Sequence, residues 1–161
     1  MNKLISTSAL ALSLIATAAG AQAVRTEKNI SLELANQIAA ATVASCSAAG
    51  YNVTAAVVDR AGSLRALQRA DNAGPHTVGA AQGKAFTSAS AKNTTSAMLE
   101  NVQKNPGAAT LVNIPGFLIL GGGVPIKVGN EVIGGVGGAP GGHLDEKCAM
   151  DALEKVKDQL K

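Results

Sequence analysis

The sequence has 161 residues, a formal net charge of +3, 18 glycines, two cysteines, no tryptophan and 2% aromatic residues. That length suits one domain with its own core, and the lack of a Lys/Arg cluster or an aromatic stacking surface argues against a nucleic-acid partner. With so few aromatics, the core has to be built from Ala, Val, Leu and Ile packed closely around glycine.

The chain opens on a leader pattern. Lys3 gives a charged start, Leu10 to Ala16 an apolar run, and Gly20-Ala21-Gln22-Ala23 the small-x-small ending that signal peptidase reads. Residues 1–23 are therefore expected to be a signal peptide and residues 24–161 a single domain in the periplasm or outside the cell. The run is too short and too rich in Ser, Thr and Gly to span about 30 Å of hydrocarbon. No later segment reaches spanning length, so no membrane insertion is expected after cleavage. No Cys stands at the cleavage site, so no lipid anchor is expected either. Cleavage removes Lys3 and leaves a balance of +2.

Ser31 is placed to cap a helix from Leu32 to about Ala48, whose apolar residues recur at three- and four-residue spacing. Gly50 fits its end. Val53 to Asp59 reads as a strand, Arg60 to Ser63 as a turn and Leu64 to Arg69 as the returning strand. Asp71 to Pro75 opens a helix from His76 to about Ser90, rich in Gly and Ala. A short helix is expected over Ser96–Lys104, stopped by Asn105-Pro106-Gly107. Three further strands follow, over Phe117–Leu120, Val124–Val128 and Glu131–Val136, with a tight turn at Gly129-Asn130. A glycine-rich loop, 137–142, leads to a last helix from about Asp145. The expected fold class is α+β: a five-stranded antiparallel sheet flanked by helices. A doubly wound parallel sheet fits worse, because the last three strands have no helices between them.

Cys46 and Cys148 both lie on apolar helical stripes. A disulfide and a pair of buried thiols are both compatible with that placement. CxxC, CxxCH and Cys/His metal spacings are absent from the sequence. The glycine clusters at 121–123 and 134–138 do not form GxGxxG. The run Gly79 to Gly83-Lys84-Ala85 misses the P-loop spacing and has Ala where Ser/Thr would bind magnesium.

His76 is the most informative polar residue. On a helix, Ala80, Gly83 and Thr87 fall within about 40° of its direction, which makes a flat face with an imidazole at its edge. Haem could lie there with His76 as axial metal ligand, and Lys84 and Arg69 are the nearest cations in sequence for its propionates. The alternative is a surface histidine beside tight packing. His143, next to the glycine loop, is a second possible ligand or an exposed linker residue. Asp59, Arg69 and Asp71 flank the hairpin and suit a structural ion pair better than acid–base catalysis.

Several runs together are similar to one family. Val57-Val58-Asp59-Arg60-Ala61-Gly62 resembles the VVDxxG hairpin of the GlcG/HbpS-like haem-binding family, and Arg69-Ala70-Asp71-Asn72-Ala73 its RxDxA. Lys84 to Ala89 is similar to its KAxTA, Gly121 to Ile126 to its GGxP segment, and Gly134 through Ala149 to its GxIGVxG…DxxCA ending. The ordered set spans nearly the whole expected mature chain. The resemblance implies a profilin-like five-stranded antiparallel sheet, a homo-oligomer such as a hexamer or octamer, and haem or another tetrapyrrole as ligand. The family's axial ligand varies. His143 and Ala70 depart from its pattern, where a polar or acidic residue and a bulkier one are common.

The expected function is thus a secreted or periplasmic haem-binding oligomer that sequesters or presents haem. Two alternatives stand beside it. One is an enzyme acting on a small acid or aldehyde, with Lys84, Asp71 and His76 in a glycine-lined pocket and Lys84 as base or nucleophile. The other is a pure assembly module packed through the Gly/Ala-rich helix.

Overall fold

The computed structural model describes residues 23–161. The expected signal peptide, apart from Ala23, lies outside the described residues. The elements run α1 (Leu32–Ala48), β1 (Thr54–Asp59), β2 (Leu64–Arg69), α2 (His76–Ala91), α3 (Thr95–Lys104), a 3-10 segment (Pro106–Asn113), β3 (Gly123–Val128), β4 (Glu131–Ala139) and α4 (His143–Lys155), with a short 3-10 turn at Lys157–Gln159. Ser31 caps α1 as its position dictates, with its Oγ accepting from the Leu34 amide at 3.1 Å.

The sheet is antiparallel with the order β2-β1-β4-β3. Helices α1 and α4 pack together on one face, and α2 lies on the other. Covered on both sides, β1 is buried along its whole length. Its alternating residues therefore serve two cores. Val57 joins Leu34, Ile38, Ile126, Val136 and Ala149 beneath α1 and α4, while Ala56 and Val58 meet Ala81, Ala85 and Ala89 of α2. β4 is glycine-rich because α2 rests directly on its backbone. A Cβ on Gly135 would stand 2.4 Å from the Ala85 carbonyl oxygen, and one on Gly137 2.1 Å from that of Ala81.

The sheet has four strands, not five. Phe117–Leu120 is not a strand, because Gly116 (φ 85°) and Gly122 (φ 127°) turn the chain at either side of it. Its Leu118 amide donates to Thr87 Oγ1 at 2.7 Å instead of to a neighbouring strand. In the other direction, β4 continues through Gly137, Gly138 and Ala139, which pair with Ala56, Ala55 and Thr54. Half of the expected glycine loop is thus strand, and α4 begins at His143.

The cysteine question resolves as a disulfide. Cys46 and Cys148 join α1 to α4 across a Cα–Cα distance of 5.4 Å, buried beside Val53. Among the described residues no helix is long and apolar enough to cross a membrane.

Candidate functional site

Helix α2 presents its inner side to the sheet and leaves an outer strip open. Gly79, Gln82, Gly83 and Phe86 line a shallow hollow of about 280 Å³, completed by Gly62 of the β1–β2 turn and Gly116 of the loop before β3. Phe86 is fixed there by an edge-on contact with Phe117, with ring centroids 6.1 Å apart. The two glycines inside α2 have different causes. A Cβ on Gly83 would come within 3.1 Å of Leu118 Cβ, so packing within the chain accounts for it. A Cβ on Gly79 would meet nothing within 4 Å, although glycine in a helix interior costs roughly 1 kcal/mol against alanine.

His76 is exposed in the first turn of α2, outside the lining of the hollow. Its ring lies against Gly74, where a Cβ would stand 2.7 Å from Cε1. Arg69 is exposed at the end of β2 and donates to the Ala73 carbonyl at 3.2 Å. That bond ties Arg69 to the turn that launches α2, three residues before His76. The open strip is displaced from the face expected around His76. Ala80 is half-buried against the cluster of Ala56, Ala81 and Ala139. Thr87 is buried, with its Oγ1 donating to the Gly83 carbonyl at 2.8 Å while it accepts from Leu118. His143 is exposed at the start of α4 and does not line the hollow.

Lys84 is inside the fold. Its side chain is 3% exposed, with Nζ 3.3 Å from Asp145 Oδ2 and 2.9 Å from the Gly138 carbonyl oxygen. The glycine loops do surround it, but they are closed over it. A Cβ on Gly122 would fall 2.9 Å from Lys84 Nζ and 2.7 Å from the Gly138 oxygen. The ammonium therefore meets Asp145 rather than Asp71 or His76, and the structure does not assemble those three residues into a pocket. Burial pushes the Asp145 carboxyl up, opposed by the Lys84 charge and, more weakly, by the Gly141 and Gly142 amides. Its Oδ1 accepts no hydrogen bond of ordinary geometry.

The next residue of α4, Glu146, anchors a second buried network. Its Oε1 accepts from the Ser96 amide at 2.8 Å and the Gly122 amide at 3.2 Å, and Oε2 accepts from Ser96 Oγ. A carboxylate from α4 thus satisfies the first turn of α3 and pins the glycine bend before β3. Sequence reasoning missed both carboxylates as interior groups. The available signal was their adjacency in the first turn of a helix that follows a glycine loop, where side chains turn back toward free amides. Asp59 likewise forms no ion pair with Arg69. Its Oδ1 accepts from the Ala61 and Ser63 amides at 2.9 and 3.0 Å and holds the hairpin turn. Among the described residues no group of three His, Cys, Asp or Glu side chains is placed to hold a metal ion.

A family model described as "Haem degrading protein HbpS-like" matches residues 30–154. The protein GlcG of Escherichia coli (strain K12) is 34% identical over 113 residues, covering 70% of this chain and 83% of GlcG. The crystal structure of HbpS is similar at 35% identity with a TM-score of 0.79, covering 86% of this chain and 98% of HbpS. A PduOC:heme complex is similar at 23% identity and a TM-score of 0.69, covering 78% of this chain and 94% of PduOC; this is a likeness of fold. With its ordered motifs and these matches all pointing one way, the chain belongs to the HbpS-like family.

Proposed function

We propose that this protein binds haem or a related tetrapyrrole on the outer face of α2 and sequesters it or presents it to a partner. The family description supplies the ligand class. The observation that carries the location is Gly79, a glycine one turn into α2 that nothing in the described chain requires. A flat ligand lying on the helix gives it a reason, since a side chain there would lift a macrocycle off the backbone. The adjoining strip fits such a ligand, with Gly83 and Gly116 beside it, Phe86 for ring contact and the His76 imidazole one turn away. His76 would hold the iron through a ring nitrogen, and Arg69, fixed near the same helix start, would face the propionates. Haem would supply the redox-active iron.

A hollow of about 280 Å³ covers only part of a macrocycle. Together with the exposed Val112, Ile114 and Leu120, all within four residues of Gly116 in sequence, this supports a homo-oligomer, which we place at six or eight subunits. Export to the periplasm or beyond is supported by the Cys46–Cys148 disulfide, which persists in oxidising compartments, and by the leader pattern in the sequence.

Titration of the chain lacking residues 1–23 with hemin tests the reading. A saturable Soret shift is expected, altered in position by His76→Ala and weakened by Gly79→Leu. Non-saturating binding would overturn haem as ligand. A spectrum unchanged in His76→Ala would remove His76 as the iron ligand, and full affinity in Gly79→Leu would move the site off α2.

A further inference from the structure

A second cavity lies at the opposite end of α2. It is a cleft of about 810 Å³ lined by Ala89, Val128 and Val132 and rimmed by Arg60, Ser90, Lys92, Asn130 and Glu131. The sixteen residues of α2 put its C-terminal end about 24 Å from His76, and no residue lines both the cleft and the hollow around Gly79. We propose that it binds a small organic monoanion, a carboxylate carrying a short apolar chain.

The lining sets the ligand's two halves. Ala89, Val128 and Val132 are buried, at 5%, 9% and 8% exposure, and form an apolar floor from three different elements. Ser90, Lys92 and Asn130 are exposed above it and offer a hydroxyl, an ammonium and an amide. The charges set the valence. Arg60 is engaged by Glu27, with Nε 3.2 Å from Oε2, and by Glu131. Lys92 has no carboxylate of the described residues within 4.0 Å, so one cation remains for a ligand. A second negative charge would face Glu131.

Lys92 also has an unusual backbone. It closes α2 in the left-handed region, at φ 57°, and is the only non-glycine with positive φ among the described residues. Glycine is the residue that this position ordinarily favours. A lysine here puts a cationic residue in the lining of the cleft against that preference.

The backbone also provides a clean variant, because Lys92→Gly removes the charge while easing the conformation. Backbone amide NMR shifts are followed while hexanoate is added to the chain lacking residues 1–23. Saturable shifts are expected at Ala89–Lys92 and Val128–Val132. Lys92→Gly should bind hexanoate about three- to fivefold more weakly, the scale of one exposed ion pair, with an unchanged or raised thermal midpoint. In the parent chain, 1-hexanol and adipate should both bind more weakly than hexanoate, the first for want of a charge and the second through Glu131. Shifts that fail to saturate or that map elsewhere overturn the proposal. Equal hexanoate affinity in Lys92→Gly removes the lysine's role, and hexanol or adipate binding as tightly as hexanoate overturns the monoanion assignment.

Discussion

Lys84 of α2 and Asp145 of α4 meet inside the fold, Nζ to Oδ2 at 3.3 Å, with side chains 3% and 0% exposed. The pair ties the helix on one face of the sheet to a helix on the other, passing the end of β4 through the Gly138 carbonyl. Lys84 thus shares the inner side of α2 with Ala81 and Ala85, which rest on the glycines of β4.

Removing one partner leaves the other charge buried and uncompensated. Lys84→Met is expected to cost about 3–5 kcal/mol. Adding Asp145→Asn should recover part of that loss, because no ion is then stranded. Urea unfolding of the two single variants and the double variant measures the coupling. Strictly additive losses would show that the pair is not energetically joined.

The pH dependence follows from the same site. The folded Asp145 carboxyl titrates above its ordinary 3.8, chiefly because it is buried. An acid with a raised folded value favours the folded state most when protonated. That contribution is complete below the ordinary value and is lost as pH rises through the shifted one. The stability of the parent chain minus that of Asp145→Asn should therefore fall as pH climbs through that window. A difference that is flat or rising between pH 3 and 7 would contradict the burial effect.

The disulfide closes a sequence separation of 102 residues. Chain-entropy reasoning gives about 4–5 kcal/mol for a loop of that length. Cys46→Ala/Cys148→Ala should lose stability on that scale, read from urea midpoints. The parent chain, denatured without reductant, should show no free thiol to a thiol reagent.

Two glycines of α2 should respond in opposite ways. Gly79→Ala meets open space and should stabilise the ligand-free protein by roughly 0.5–1 kcal/mol. Gly83→Ala forces a methyl to within 3.1 Å of Leu118 Cβ and should offset that gain or reverse it. Thermal unfolding of both variants separates the glycine kept open from the glycine required by packing.

Periodicity and punctuation in the sequence determined most of the elements. Ser31, Gly50 and the alternation of β1 and β2 marked the first half of the chain, and Gly129-Asn130 marked the turn between β3 and β4, because caps and turns depend on residues next to each other in sequence. The fold class and the exposed imidazole at the start of α2 were legible for the same reason. Tertiary structure decided the rest. Phe117–Leu120 has strand-like residues but lost its amide to Thr87, and Gly137–Ala139 has loop-like residues but pairs with β1. Lys84 is expected from sequence at a haem propionate or in an open glycine-lined pocket, and it is instead closed inside the fold, where Asp145, 61 residues away, meets it. Long-range partners of that kind leave no local spacing to read. The sequence therefore marked α2 as the helix of interest, and packing chose the face that it shows.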